Sequence, residues 1–373
     1  MNRCVLWAAL AAVTAPLPVA AEAGKTPGVV RVTVEAAGIE RNDLVVDVPL
    51  DTGVAPAGPV SVVEYDEGGD VTDADVPAQY DEDTAELSIL LEGRTGPEQK
   101  RTYGVRFAAD ESSEPAKPLV EVSELEEYQG QAAWKIITPN GTYVYHKKGA
   151  GFASLIDADG RDWISYRPKG GSAGNYRGIP NLVHPGGYFH PGGEKCTSKL
   201  VAAGPLKAVI VSEAEGGKWR VRWDIYPTHA KLTVLAAAKP YWFLYEGTPG
   251  GKIDYDTDYC VRAGGNRTPA GRKWDEKLPT PGWVYFGDAK LERALFLYNH
   301  DADRKWDSYW PMQRNMTVFG FGRLGLKKSM THTPACFTVG LAEAGEEGSV
   351  EAAMQAVCRP LAVRVGGDDS GDA

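Results

Sequence analysis

The segment from Lys218 to Tyr226 alternates large apolar side chains with polar and charged ones. Successive side chains of a β-strand point to opposite faces, so this spacing predicts one apolar face and one polar face. Arginine forks and carboxylates bind the hydroxyl and carboxylate groups of sugars, so we predict that the polar row binds substrate in a cleft. The alternative is a solvated face held by ion pairs. The polar row consists of Arg220, Arg222, Asp224 and Tyr226.

The segment 176–193 is rich in glycine and proline and is too irregular for a strand or a helix. It carries His184 and His190, and imidazole exchanges protons near neutral pH, so both are candidate catalytic bases, with Tyr188 as a third catalytic candidate. A structural role, in which backbone carbonyls bind the imidazoles, is the alternative for at least one histidine. The two histidines with Glu194 fit no zinc motif, so the sequence leaves open whether a metal binds. Three further polar residues of the segment are candidate substrate-binding groups: Tyr176, Arg177 and Asn181.

Glu246 ends an apolar strand, predicted from Tyr241, just before a glycine-rich turn. Partial burial there would raise its pKa into the range of a useful acid or base, so Glu246 is a fourth catalytic candidate. A solvated carboxylate at the end of the strand is the alternative. The segment 300–310 adds aromatic side chains among aspartates and arginines, and we predict that Trp306 and Tyr309 bind substrate over the same face.

These residues sit in a chain whose pattern is that of an all-β protein. Short alternating apolar runs recur between turns, and 43 glycines and 25 prolines punctuate the sequence. Five or more runs in residues 24–109 predict a small β-sandwich, and 119–366 predicts a large β-sandwich domain. The segment 110–117 lacks apolar residues and is the expected linker. One helix is predicted, Ser349–Val357, with Ser349 as its N-cap.

The N-terminal residues predict export. A basic start and an apolar run too short to span a bilayer precede small residues, so we expect a signal peptide at 1–23 and a secreted or periplasmic protein without a membrane anchor. The net charge of −10 argues against a nucleic-acid partner. Four cysteines remain after the signal, and the sequence allows either one or two disulfides or free buried thiols. The tail, 367–373, is expected to be disordered.

Several segments together resemble secreted bacterial proteins of polysaccharide-degrading systems. The resemblance implies that the large domain is a galactose-mutarotase-like β-supersandwich and that the smaller domain is the β-domain that precedes it in such proteins. The segments that carry it are the stretch from Trp134 through 159–164, the 176–190 loop and 219–251 in the large domain, and 76–79 and 100–103 in the small one.

The function expected from these residues is β-elimination on a uronate-containing polysaccharide. A lyase needs a base for the proton alpha to the carboxylate, which His184 or His190 with Tyr188 would supply, and no cofactor. It also needs cationic or amide groups that stabilise the enolate. The candidates for that second role are Arg177, Asn181, Arg220 and Arg222.

Two other functions remain open from the sequence. A glycoside hydrolase needs two carboxylates across the scissile bond, and Asp224 and Glu246 are the best pair. A glycan-binding or mutarotase-like protein would hold a polysaccharide or oligosaccharide in the same cleft without breaking it.

Overall fold

The computed structural model describes residues 29–50, 60–107 and 117–367. Within these ranges the protein is all-β, which confirms the predicted fold class, and its two α-helices are short. None of its described helices has the length and apolarity needed to cross a membrane. The expected signal peptide lies outside the described residues. So do the expected linker, apart from Lys117, and the expected tail, apart from Gly367.

The N-terminal unit is a two-sheet sandwich. Strands β1, β7, β3 and β4 follow one another in one sheet, and β2, β6 and β5 form the other. Alternate side chains of β2 enter the core between them, so Leu44, Val46 and Val48 are buried there, while Val45 is buried in a separate cluster with Leu206 and Tyr226. The strands are β1 Val30–Glu35, β2 Arg41–Pro49, β3 Val60–Tyr65, β4 Val71–Asp73, β5 Ala78–Asp81, β6 Glu86–Thr95 and β7 Lys100–Phe107.

The rest of the chain forms a larger β-sandwich with one long sheet. The elements are β8 Glu121–Tyr128, β9 Gln131–Thr138, β10 Gly141–His146, β11 Gly151–Ile156, α1 Ser172–Asn175, β12 Thr197–Ala203, β13 Ala208–Ala214, β14 Trp219–Ile225, β15 His229–Ala236, β16 Phe243–Gly247, a 3₁₀ turn Pro249–Gly251, β17 Asp258–Arg262, β18 Asn266–Pro269, β19 Trp274–Glu276, β20 Gly282–Asp288, β21 Arg293–Asn299, β22 Asp307–Met312, β23 Met316–Phe321, β24 Arg323–Leu324, β25 Lys327–Lys328, β26 Ala335–Glu343, α2 Ser349–Cys358 and β27 Ala362–Gly367.

The long sheet has the order β12-β13-β14-β15-β26-β21-β20-β17-β18. Two four-stranded sheets, β11-β10-β9-β8 and β16-β23-β22-β19, contribute to the same hydrophobic core. Strand β14 follows the alternation expected from its sequence: Trp219, Val221, Trp223 and Ile225 are all fully buried in that core. The polar row of β14 therefore lies on the opposite face of the long sheet.

The last strand of the chain does not belong to the large sandwich. Strand β27 pairs antiparallel with β1, with Val32 opposite Val365 and Val34 opposite Val363. A boundary at residue 366 therefore does not separate the two units, because the chain returns to the N-terminal sheet after α2. Apolar residues do not reveal such a return in a sequence, since they are equally suited to either core.

Helix α2 joins the two units through its C-terminal end. The guanidinium of Arg41, which is 1% exposed, donates to the carbonyls of Ala356 and Arg359, which have no partner inside the helix. At the other end the predicted N-cap is displaced by one residue. Gly348 holds the cap position with a φ of 80°, and the hydroxyl of Ser349 donates to the carbonyls of Glu343 and Glu346.

The four described cysteines are unpaired thiols, which decides between the alternatives left open by the sequence. Cys196, Cys260 and Cys358 are buried as small apolar side chains. Burial raises the pKa of the Cys196 and Cys260 thiols to about 11, so both stay protonated.

Arg41→Ala should lower the free energy of unfolding by about 2 kcal/mol, because it removes charged hydrogen bonds to buried helix carbonyls. Urea unfolding followed by circular dichroism measures the change. Arg106→Ala, an exposed arginine of β7, is the matched control and should stay within about 0.5 kcal/mol of the wild type. Equal stability of the two variants would contradict the proposed link between α2 and the N-terminal unit.

Candidate functional site

The polar row of β14 does not line a cleft, because the N-terminal sandwich covers most of it. Arg222 binds Asp224 through its Nε at 2.9 Å and reaches Glu86 of β6 through Nη2 at 3.3 Å. The hydroxyl of Tyr226 donates to Asp47 of β2. Asp224 and Tyr226 are each 6% exposed.

Lys207 is the centre of this contact. Its side chain is 0% exposed, and its ammonium binds Asp47 at 2.9 Å and also Glu86. The side chain of Gln79 in β5 fixes the backbone beside it by accepting the N–H groups of Leu206 and Lys207 at 2.8 and 2.9 Å. Although burial opposes it, the charge of Lys207 lowers the pKa of Asp47. Because buried charges are stable only when paired, each unit satisfies charges of the other.

This contact corrects the predicted substrate row. Arg222, Asp224 and Tyr226 form an interface between the two units, and Arg220 is exposed on the same strand. None of the four lines the pocket that holds the loop histidines. The ion-pair alternative described the Arg222–Asp224 contact correctly. The sequence did not show that carboxylates from a distant segment would cover the polar row of β14.

The loop 176–193 does form a pocket, of about 380 Å³. It brings together four of the predicted site residues and adds one aromatic residue, Tyr166, from the segment before α1. The residues that line it are Tyr166, Pro168, Asn175, Tyr176, Asn181, His184, Pro185, Gly187, His190, Pro191, Gly192 and Gly193.

Backbone hydrogen bonds hold this irregular loop against regular strands. Gly178 and Glu246 of β16 exchange two bonds, at 2.7 and 3.0 Å, and Ile179 and Phe152 of β11 exchange two more. A Cβ on Gly178 would lie 2.4 Å from the ring of Pro191, so only glycine allows this close approach. The pocket is therefore built on rigid strands although its own residues form no strand.

His184 is the imidazole in the pocket with the greatest freedom to bind a ligand. The ring of Tyr176 packs against it edge to face, with centroids 5.2 Å apart, and neither ring nitrogen forms a hydrogen bond with another described residue. Burial and the nearby ammonium of Lys328 lower its pKa, so the ring is neutral at neutral pH. A neutral imidazole with free nitrogens accepts a proton from a ligand.

His190 has a more constrained position. Its Nε2 lies 2.8 Å from the carbonyl of Tyr176, so it donates there, and burial lowers its pKa to about 4. The structural alternative for one of the two histidines therefore describes this residue. Its Nε2 is also 3.9 Å from Oε2 of Glu246.

Glu246 lies behind the wall formed by Asn181 and His190. Nδ2 of Asn181 donates to its Oε2 at 2.7 Å, and 7% of its side chain remains exposed. Burial raises the pKa of Glu246 to about 8, against which Asn181 and Arg323 act only partly. The side chain is thus a protonated carboxylic acid at neutral pH, as its position at the end of an apolar strand suggested.

The remaining predicted residues lie elsewhere. The hydroxyl of Tyr188 donates to Glu215 at 2.7 Å, which raises its pKa and disfavours a role as base. Arg177 donates to the carbonyls of Ser165 and Asn315. Tyr309 is 1% exposed in the core, because its strand turns it inward. Trp306 is exposed beside Lys277 and does not line the pocket.

Tyr166 is the pocket residue that the sequence did not single out. It is 6% exposed, its ring packs edge to face against His146 and His190, and burial raises its pKa. It follows Trp163 and Ile164, which are core residues, so only the tertiary structure shows that it turns toward a pocket.

The chemistry of the pocket is neutral and polar. Among the described residues that line it there is no aspartate, glutamate, lysine or arginine. The described residues also contain no group of three or more histidine, cysteine or acidic side chains placed to hold a metal ion. The site therefore offers phenols, two amides and imidazoles for hydrogen bonds, with a proton stored nearby on Glu246.

Comparison with known proteins gives no family for this chain. No protein-family profile and no curated protein sequence matches it. Solved structures with some similarity include the protein HI1317, with a TM-score of 0.43 at 11% identity over 61% of this chain and 98% of the other. A protein of glycosyl hydrolase family 38 from Enterococcus faecalis has a TM-score of 0.38 at 11% identity, over 91% of this chain and 47% of its own.

The active YidC insertase with its first transmembrane domain resolved has a TM-score of 0.35 at 10% identity, over 63% of this chain and 44% of its own. We draw no functional inference from similarities of this degree. The fold and the pocket themselves define an all-β protein with a neutral, histidine-lined pocket.

Lys207→Met should lower the free energy of unfolding by about 3 kcal/mol, because it leaves Asp47 and Glu86 without their buried cation. Chemical unfolding of the variant measures this loss. Lys199→Met, an exposed lysine of β12, is the control and should change stability by less than about 0.5 kcal/mol. Similar effects of the two substitutions would show that the interface network contributes little.

Glu246→Gln should change how stability depends on pH. Between the ordinary pKa of 4.5 and the folded value of about 8, the folded protein keeps a proton that the unfolded chain has released. Wild-type stability therefore falls as pH rises through this window, by up to about 1.4 kcal/mol per pH unit.

Glutamine does not titrate, so the stability of the variant relative to the wild type should grow from pH 5 to pH 8 and then level off. Thermal unfolding across this range measures the difference. Glu194→Gln, at an exposed position just after the pocket loop, should follow the wild type at every pH. A constant difference between Glu246→Gln and the wild type would contradict a protonated Glu246.

Proposed function

We propose that this protein is a carbohydrate-active protein that binds one sugar unit in the histidine pocket and moves protons at its anomeric centre, as a mutarotase does. The observation that carries the proposal is the lining of the pocket: aromatic rings, two amides and imidazoles, without a charged side chain among the described lining residues. Aromatic faces pack on the apolar faces of sugar rings, and neutral donors and acceptors match their hydroxyl groups.

The size of the pocket supports a single sugar unit as the ligand. Its volume of about 380 Å³ lies near the lower end of the ~300–1,000 Å³ range of small-molecule sites. Asn181 and Tyr166 lie in its wall, where they can bind hydroxyl groups of the sugar.

His184 and Glu246 have the protonation states that anomer exchange needs. Neutral His184 takes the proton of the anomeric hydroxyl, while protonated Glu246, which lies behind the pocket wall, gives its proton to the ring oxygen through a bound water molecule. The bond from the anomeric carbon to the ring oxygen breaks, and an open-chain aldehyde forms. Rotation about the next bond and reversal of the two proton transfers close the ring as the other anomer and restore both side chains.

The two bond-breaking functions expected from the sequence lose residues that they require. A lyase needs cations for the uronate carboxylate, but Arg177 binds backbone carbonyls and Arg222 binds carboxylates of the interface. A hydrolase needs a second carboxylate opposite Glu246, and Asp224 lies in the interface with the N-terminal unit. The mutarotase-like alternative requires neither group.

The sequence resemblance is consistent with this proposal. The resembling segments include Trp134, a core residue, the pocket loop, and the strands β14 and β16. Together with the expected signal peptide, the resemblance supports an activity outside the cytoplasm, on sugars released from polysaccharides.

The test is a panel of free aldoses whose anomers are unequal when freshly dissolved. Polarimetry or proton NMR should show faster approach to anomeric equilibrium with the protein than with buffer. The same panel extended to uronate polysaccharides is monitored for unsaturated products and for new reducing ends. Unsaturated products would replace the proposal with a lyase, and new reducing ends without them would replace it with a hydrolase.

His184→Ala should lower the rate of anomer exchange about 10²- to 10⁴-fold, because it removes the positioned base. Sugar affinity, measured by calorimetry, should change much less, and the melting temperature should not fall. His332→Ala is the control, since His332 is an exposed histidine outside the pocket. A fully active His184→Ala variant would contradict the role of His184.

A further inference from the structure

The histidine pocket does not end at its own wall. Pro168 lines it and also lines a second depression of about 620 Å³, so the two meet at this residue. The second depression, which we call the basic groove, is lined by Glu127, Gln129, Gly130, Arg167, Pro168, Lys169 and Gly170.

The same hydrogen bonds hold the rims of both depressions. Residues 129–130, in the turn between β8 and β9, border the basic groove, and the adjacent Gln131 donates to the carbonyl of Gly193 in the pocket at 2.6 Å. His146 connects the pocket to the segment beside the groove. Gly192 of the pocket donates to its Nδ1 at 3.1 Å, and its Nε2 lies 2.8 Å from the carbonyl of Tyr128, the residue before Gln129. The pocket and the groove therefore keep a fixed relative position.

The basic groove differs from the pocket in charge. Arg167 and Lys169 are exposed, and neither forms a salt bridge with another described residue. Glu127 is the carboxylate of this lining, and its Oε1 accepts the N–H of Gly130 at 3.2 Å. Burial lowers the pKa of Arg177, and the positive charge of Arg167 lowers it further. Arg167 therefore makes this side of the pocket more positive.

Two free cations are notable on a chain whose net charge is −10. Guanidinium and ammonium groups bind carboxylates and sulfates through charge-assisted hydrogen bonds. A ligand that passes Pro168 would place its second unit beside them.

We infer that the substrate is an acidic oligosaccharide, whose reducing-end unit occupies the histidine pocket and whose next unit carries an anionic group held by Arg167 and Lys169. The inference rests on the proposed function and names its substrate class. The anionic group is a carboxylate or a sulfate, because both bind the same cations. The sequence indicated other arginines as the cations that bind the substrate carboxylate. It did not indicate this pair, which lies in a turn between two pocket segments.

The test compares three disaccharides that differ only at the non-reducing unit: glucose, glucuronate and glucose sulfate, each linked to the same reducing-end glucose. Calorimetry at low salt should give the wild-type protein at least fivefold higher affinity for one of the two anionic disaccharides than for the neutral one. The advantage should shrink in 0.5 M salt, because salt screens exposed charges. The preferred anion distinguishes the uronate from the sulfate ester.

The double variant Arg167→Ala and Lys169→Ala should lose the advantage for the anionic disaccharide and keep the affinity for the neutral one within about twofold. The control is Arg272→Ala and Lys273→Ala, an exposed pair in another loop, which should retain the wild-type preference. Loss of the preference in the control as well would show that overall charge is responsible and would overturn the inference.

Other outcomes separate this inference from the proposed function. Equal wild-type affinity for neutral and anionic disaccharides overturns the inference and leaves the proposed function in place, provided that glucose binds and His184→Ala slows anomer exchange. If glucose binds but none of the disaccharides does, the inference is likewise overturned and the proposed function stays in place. Failure of glucose and all disaccharides to bind overturns both.

Discussion

A fully buried lysine needs carboxylates, and in this protein they come from the other structural unit. Lys207 is 0% exposed between Asp47 and Glu86, while Arg222 and Asp224 complete the network. Removing one member leaves a buried charge without compensation, so the network favours one arrangement of the two sandwiches. It also explains why strand β14 has charges on its outer face and tryptophans on its inner face.

The C-terminal segment strengthens the same association by a different interaction. Strand β27 adds an edge strand to the N-terminal sheet, and Arg41 binds the carbonyls at the end of α2. The first and last strands of the described residues thus lie in one sheet, with the large sandwich between them in sequence. Truncation after β26 would remove hydrogen bonds from both units.

The pocket depends on this rigid framework but uses residues outside it. Backbone bonds to β11 and β16 hold the loop, and the ring nitrogens of His184 form no hydrogen bond with another described residue. Because Glu246 is desolvated behind Asn181, a proton is stored beside neutral imidazoles at neutral pH. The basic groove beside the pocket supplies charge, so a neutral pocket and a positively charged groove meet at Pro168.

The sequence by itself determined the elements and the identity of the pocket loop. Alternation in β14 is a local property of the chain, so the buried Trp219 and Trp223 and the polar row opposite them followed from the spacing alone. Glycines and prolines marked the segment 176–193, and His184, His190 and Asn181 within it were predicted site residues that line the pocket. The apolar strand before Glu246 indicated its raised pKa.

Only the tertiary structure decided what each polar face meets. A row of charged side chains has the same spacing in sequence whether it binds a sugar or another sandwich. What covers this row is decided by Asp47 and Glu86, which lie more than a hundred residues away in sequence. Tyr309 and Tyr166 show the same limit, since one turns into the core and the other toward the pocket. Long-range packing sets such orientations, because it determines which side of a strand or turn is covered.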